Sequence, residues 1–353
     1  MIQLSAELLA LTAEPALLVR GGKILFANDA ARDALGRDCD SKSFRELFGR
    51  EIAGMQASSF VGETEAGGRR MLLRLRTLEG SLRAVFLYPC APVSEFVGDA
   101  FLFALRSELM QLGVNATLLK AQLCPTDAAG ADALRGISRS LYRANRTLQN
   151  LSVIRGAELQ TLPFHPQPME LSGFLSDLVG SVRLCLSEPE LCLTAPNCLP
   201  MLGVPELLET LVLNLLSNCV SHAAGCTCIR LTARRAGEQI VLSVNDDGCG
   251  IPPERLHTVL ERFRYSDGMD AAEHGPGFGL TAVREIARLH GGTLLLESRV
   301  GAGTAVRVSF RLARPDTGRL KSAAAAYNRS FDSILTGLST CLPPEAFDVS
   351  CDE

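Results

Sequence analysis

No uncharged apolar run in the 353-residue chain approaches the roughly 20 residues that a membrane-spanning helix needs. The N-terminal MIQLSAELLALTAE also lacks the basic-then-apolar order of a signal peptide, so the expectation is a cytoplasmic protein with no membrane span. Excess charge is missing too. A net charge of −4 offers no basic surface for nucleic acid or an anionic membrane. The twelve cysteines contain no CxxC pair, and in a reducing compartment they serve as small buried hydrophobes. Cys226 and Cys228 form a lone CxC that reads as packing, because no partner for a metal or redox role stands out in the sequence. Histidine is scarce: all five lie at or beyond His165, so residues 5–92 have none to hold haem. No internal repeat appears. What remains is 47% hydrophobic residues, ample for real cores, over a length that suits two or three domains.

The informative residues concentrate between 205 and 310. PELLETLVLNLLSNCVSHA reads as an apolar helix carrying Asn214 and Asn218 one turn apart, so both amides leave the same face. In IVLSVNDDGCGIP, alternating Ile240, Leu242 and Val244 form a strand that runs into Asp246, Asp247, Gly248, Cys249 and Gly250, a turn that brings carboxylate and bare backbone together. EHGPGFGLTAVREIARLHGG places Gly275, Gly277 and Gly279 ahead of a helix, where backbone N–H groups and a helix N-terminus can meet phosphate oxygens. GAGTAVRVSF closes the set with a strand that contains Thr304.

In this order the patterns read as a pocket for ATP, and they resemble the N, G1, F, G2 and G3 boxes of the histidine-kinase ATPase family, GHKL, with ERF at 261–263 as the F box. The resemblance implies a GHKL α/β sandwich over residues 160–314 that binds Mg2+ and ATP. Asp246 would take the adenine amino group, Asn218 the magnesium with Asn214 nearby, and Gly248, Gly250, Leu280 and Thr304 would line the nucleotide. Gly275, Gly277 and Gly279 would form a mobile lid. Two departures lower the expected phosphate affinity: Ser221 stands where the family usually has a basic residue, and Arg264-Tyr265 reverses the usual order. Related ATPases carry a glutamate at the place of Asn214; an amide cannot remove a proton, so bound ATP should persist.

Residues 1–92 predict a strand, a Gly-Gly turn, a second strand and a helix after Asn28 and Asp29, with two further strands joined near Gly80. This looks like a PAS-type antiparallel sheet; a dimerising module without ligand is the alternative. Over 94–157, Leu102, Leu105, Leu109, Leu112, Ala116, Leu119 and Leu123 recur at three and four behind a Ser94 cap, and Pro125 breaks the run. After Thr126 and Asp127, Leu134, Ile137, Leu141, Ala144, Leu148 and Leu151 repeat the pattern. A lone antiparallel hairpin cannot cover both seams, so a homodimeric four-helix bundle is expected. Its place in the chain resembles the dimerisation and phosphoacceptor domain of sensor histidine kinases. FLFALRSELMQ aligns with the acceptor stretch of that family, with Ser107 at the histidine position and Glu108, which resembles the family's base, beside it. A hydroxyl is the poorer nucleophile. Gln111 lies near the position where, by the same resemblance, a polar side chain orients water for removal of phosphate from a partner's aspartate; a solvated surface residue is the plainer reading. Over 315–353, Leu320, Ala324, Tyr327, Phe331, Ile334 and Leu338 predict one apolar helix stripe, followed by Pro343, Pro344 and a mobile acidic end.

The expectation is therefore an α+β multidomain protein of the sensor histidine-kinase family, transferring phosphate from ATP to a protein acceptor and partnered by a response regulator. The alternatives are a degenerate kinase acting as a response-regulator phosphatase and an ATP-sensing dimeric scaffold.

Overall fold

The computed structural model describes residues 6, 9, 10, 12, 15–36, 39–53, 59–66, 69–89, 99–122, 128–256, 259, 277–312 and 331–347. β1 (Ala16–Arg20) and β2 (Lys23–Ala27) meet at Gly21 and Gly22, both at positive φ, which gives the tight hairpin that such a pair favours. Buried Asn28 caps α1 (Asp29–Leu35): its Oδ1 accepts from Ala31 N and Ala16 N, each at 2.9 Å, so one amide ties helix to sheet. After α2 (Phe44–Ala53) come β3 (Ser59–Ala66), β4 (Arg69–Glu79) and β5 (Leu82–Pro89). β3 adds a strand that the sequence reading did not contain, because SFVGETEA puts Gly62 and two glutamates into a short run and blurs the period of two.

α3 (Asp99–Gln122) and α4 (Ala128–Glu158) pack against each other. Leu102, Leu134, Leu148 and Leu151 are buried, whereas Leu105, Leu112, Leu119 and Ile137 are 38–52% exposed. Ser94, Leu123, Pro125, Thr126 and Asp127 lie outside the described residues.

The remainder forms a second layered unit. Its elements are β6 (Gln167–Glu170), α5 (Leu171–Cys185), β7 (Glu190–Thr194), β8 (Pro200–Gly203), α6 (Pro205–His222), β9 (Cys228–Ala236), β10 (Gln239–Asp246), α7 (Phe278–Leu289), β11 (Leu294–Ser298), β12 (Thr304–Arg311) and α8 (Phe331–Leu338). Ile229, Leu231, Ala233, Ile240, Leu242, Val244, Val306, Val308 and Phe310 bury one sheet face in a common core with α5, α6 and α7. β3 pairs antiparallel with β11, Phe60 opposite Glu297, Val61 opposite Leu296 and Gly62 opposite Leu295, so both units share one ten-stranded sheet of order β2-β1-β5-β4-β3-β11-β12-β10-β9-β7. Leu295 packs into the N-terminal core, and its neighbours Leu294 and Leu296 into the other.

His290 closes α7. Nε2 accepts from Val204 N at 3.2 Å, which leaves Nδ1 to donate to Ile286 O at 2.8 Å, and Phe164 and Phe310 lie edge-on to the ring. Burial pushes its pKa down. An unfolded histidine therefore takes a proton at higher pH than the folded one, and stability present above a pH of about 6.5 is lost as pH falls toward the depressed value. Urea titrations at neutral and mildly acidic pH should show this loss, and His290→Phe should flatten it.

The stripe from Leu320 to Tyr327 and the acidic end from 348 to 353 lie outside the described residues, whereas Ile334, Leu335, Leu338, Leu342 and Phe347 are all buried, and the rings of Phe347 and Tyr142 are 5.4 Å apart. Leu342 and Phe347 offer apolar area that an exposed tail would leave in water. Gly337 allows the approach, since a Cβ there would lie 2.6 Å from Leu213 Cδ1.

Candidate functional site

β10 delivers Asp246 to the end of the sheet, where antiparallel β12 lies alongside. Asp246 Oδ1 accepts from Thr304 N and Gly248 N, both at 3.1 Å, and the Cys219 thiol of α6 also donates to it. Desolvation raises its pKa above the ordinary carboxylate value. The adjacent carboxylate has a different task. Asp247 accepts from Thr227 N (2.7 Å), Cys228 N (3.0 Å) and Thr227 Oγ1 (2.6 Å), which holds its pKa well below the usual range and pins the start of β9. Two glycines are set by close approach. A Cβ at Gly248 would lie 2.6 Å from Ala223 Cβ just past α6, and one at Gly250, with φ of 68°, would lie 2.1 Å from Arg299 O.

α6 starts with a proline and buries thirteen residues, Asn214 among them. Asn214 Oδ1 accepts from Arg146 Nη2 (2.9 Å) and Asn150 Nδ2 (3.1 Å), while its Nδ2 donates to Asn150 Oδ1 (2.8 Å) and Thr210 O (2.9 Å). Two acceptances and two donations use the whole capacity of an amide. In this arrangement Asn214 has nothing left for water, metal or phosphate, contrary to its expected place at the nucleotide. Asn218, one turn on, is half-buried, and its side chain makes no hydrogen bond among the described residues. Ser221 Oγ is buried without a partner among them. Gly277 begins α7 at φ 72° with no side-chain cap, and a Cβ on Gly279 would lie 3.0 Å from Asn214 Oδ1, so the N-terminus of α7 abuts the same face of α6. Leu280 is partly buried against the core. Gly275, residues 261–263, Arg264 and Tyr265 lie outside the described residues.

Sequence reasoning missed the residues that occupy Asn214. Arg146 is 9% exposed, with a pKa lowered to about 10 by desolvation, and its Nη1 also donates to Thr340 Oγ1 at 2.5 Å. Gln149 Nε2 donates to Thr210 Oγ1, Ser217 shares a hydrogen bond with Thr340, and Arg288 Nη2 donates to Ala157 O. The signal that could have found this docking is the polar pair Arg146 and Asn150 at i, i+4 on α4, which matches the spacing of Asn214 and Asn218. Ser107, Glu108 and Gln111 stand exposed on α3, whereas the helical side chains reaching Asn214 come from α4.

Residues 203–314 match the family of histidine kinase-, DNA gyrase B- and HSP90-like ATPases. The sensor-type histidine kinase PrrB of Mycobacterium leprae (strain TN) is 31% identical over 212 residues, 60% of this chain and 46% of PrrB. The sensor-like histidine kinase SenX3 of Mycobacterium bovis (strain ATCC BAA-935 / AF2122/97) is 30% identical over 219 residues, 59% of this chain and 52% of SenX3. The chain thus spans about half the length of the curated relatives it matches. Full-length ShkA in complex with AMPPNP is similar in fold, with a TM-score of 0.50 and 20% identity over 61% of this chain and 45% of that one. Among the described residues no helix is long and apolar enough to cross a membrane.

Proposed function

We propose that this chain, whose residues 203–314 match the family of histidine kinase-, DNA gyrase B- and HSP90-like ATPases, is a cytoplasmic two-component protein of the sensor histidine-kinase kind that binds ATP and directs its γ-phosphoryl group to a protein acceptor. The observation that carries the reading is Asp246. It is a half-buried carboxylate, oriented by two backbone N–H groups where β10 meets α6, and its remaining acceptor capacity suits a purine amino group. Asn218 fits magnesium, since Mg2+ takes oxygen ligands and is usually held by one or two protein groups plus substrate phosphates. When bound, the ion would neutralise phosphate charge. Asn214 cannot act as a base, so ATP hydrolysis in place would be slow. Gly248, Gly250, Gly275, Gly277, Gly279, Leu280 and Thr304 would line the site.

The N-terminal unit is proposed as a PAS-like sensor, for which its strand order β2-β1-β5-β4-β3 with small helices speaks. Homodimerisation through α3 and α4 is supported by Leu105, Leu112, Leu119 and Ile137, which a lone chain leaves in water. A response regulator is the proposed partner. Ser107 in place of histidine favours a second reading, in which the protein dephosphorylates or scaffolds that regulator, with Gln111 positioned to orient water.

Two variants test the proposal. Asp246→Asn should weaken ATP binding at least about tenfold, because a hydrogen bond to a charged acceptor contributes about 1.5–3 kcal/mol. Affinity should also fall as pH drops through the raised pKa of Asp246, since protonation removes the acceptor. Ser107→His should gain acid-labile, alkali-stable label from ATP that Asp246→Asn then abolishes. Calorimetry that detects no binding of Mg-ATP to the wild-type chain would overturn the reading; intact binding with an unlabelled Ser107→His would favour the phosphatase or scaffold.

A further inference from the structure

One cysteine of the lone CxC, Cys228, acquires partners in the fold. β9 alternates, with Ile229, Leu231 and Ala233 in the core, so Cys228, Arg230 and Thr232 face outward. β7 runs parallel beside it with Leu191 buried, which turns Glu190 and Cys192 to the same outer face; Glu190 stands opposite Cys228, and Cys192 opposite Arg230. Cysteine is among the residues most often fully buried. Here two cysteines on adjoining strands share the outward side with a carboxylate.

We propose that Cys192, Cys228 and Glu190 form a binding site for a thiophilic divalent cation of the Zn2+ class. Their two sulfurs and a carboxylate oxygen lie within 4.8 Å of one another, and Cys192 Sγ is 3.5 Å from Glu190 Oε1. Around a tetrahedral zinc with Zn–S near 2.3 Å, donor atoms sit about 3.8 Å apart, so small side-chain rotations close the triad. The platform is already fixed, because Asp247 accepts from the backbone N–H of Cys228 and holds the first residue of the strand. Half-buried sulfurs and an exposed carboxylate leave an entry path, with water in the fourth position. On binding, each thiol releases a proton to solvent and no electron moves. Two thiolates, one carboxylate and Arg230 opposite Cys192 then sum with a divalent cation to zero. Occupancy would staple the edge strand β7 to β9. The triad is on the outward face of the sheet, whereas Asp246 continues the alternation of buried Leu242 and Val244 on the core face, so the proposal stands or falls separately from nucleotide binding.

The test is Co2+ titration of the reduced full-length chain. The expected result is a sulfur-to-cobalt charge-transfer band that saturates at one equivalent and is bleached by Zn2+. Cys192→Ser and Cys228→Ser should each lose it, Glu190→Gln should weaken binding at least about tenfold, and Cys198→Ser, at an exposed cysteine outside the triad, should keep it. Alkylation mapped by mass spectrometry covers the case in which a variant misfolds: in the wild type, Zn2+ should protect Cys192 and Cys228 together and leave Cys198 reactive. Absence of the band in the wild type, its survival in the double Cys192→Ser/Cys228→Ser variant, or unprotected Cys192 and Cys228 would each sink the proposal.

Discussion

Asn214→Ala should destabilise the docking of α4 on α6 by about 3 kcal/mol, since removing the amide leaves the Nη2 of a buried guanidinium without its acceptor. Arg146 is almost fully buried, and its lowered pKa records how poorly that site solvates a cation. Thr340 Oγ1 would be its remaining partner among these contacts, and Asn150 would lose both of its bonds to Asn214. Urea denaturation should report the loss. Because the cost is that of an orphaned charge, Arg146→Leu combined with Asn214→Leu should be milder than the two single changes summed, by at least about 1 kcal/mol. A strictly additive cycle would show that the two side chains do not act as a pair.

Gly303→Ala should harm stability and nucleotide binding together. Gly303 sits at φ 83°, and a Cβ there would lie 1.9 Å from Asp246 O and 3.0 Å from Asp247 Cα. Both obstacles are backbone, so nothing can rotate aside. Left-handed strain of about 1–2 kcal/mol and overpacking of about 1–3 kcal/mol give a loss of about 3 kcal/mol. The strand end that must move carries the proposed adenine acceptor, so ATP affinity should fall more than about tenfold. Gly301→Ala is the matched control. Its φ is 74°, but a Cβ would meet nothing within 4 Å, so it should cost about 1 kcal/mol and leave calorimetric ATP titrations unchanged.

Features of the candidate site that depend on neighbours in the chain were legible in the sequence. The apolar run of α6, the turn after Val244 and the glycines before α7 are each written within about twenty residues, and periodicity and glycine placement identify such units. Contacts between distant segments were not. Arg146 and Asn150 read as polar positions on a heptad helix, and only the docking of α4 turns them onto Asn214, 68 and 64 residues away. β3 hid for a related reason: Gly62 and the glutamates that follow it, Glu63 and Glu65, spoil the alternation, yet glycine suits a strand whose neighbour presses Leu295 Cδ2 to within 2.9 Å of where a Cβ would stand. The resemblance singled out Asp246, but nothing local in the sequence showed that Asp247 holds Thr227 and Cys228 at the start of β9. The docking of residues 331–347 was obscured by Pro343 and Pro344, which signal the end of regular structure but say nothing about the burial of Leu342 and Phe347.

The joint between β3 and β11 has a mechanical consequence. β11 faces two cores at once, Leu295 entering one and Leu294 with Leu296 the other, and on β3 Phe60 and Val61 divide in the same way. Sliding either strand by one residue would exchange every one of these side chains between opposite faces, which apolar burial forbids. A two-residue slip would keep the faces but only one of the three pairs, so the joint is in effect closed in this register or open. Strain arising in the N-terminal sheet cannot be absorbed by creep along the seam, and must either travel through β11 and β12 to the turn that holds Asp246 or part the three residue pairs together.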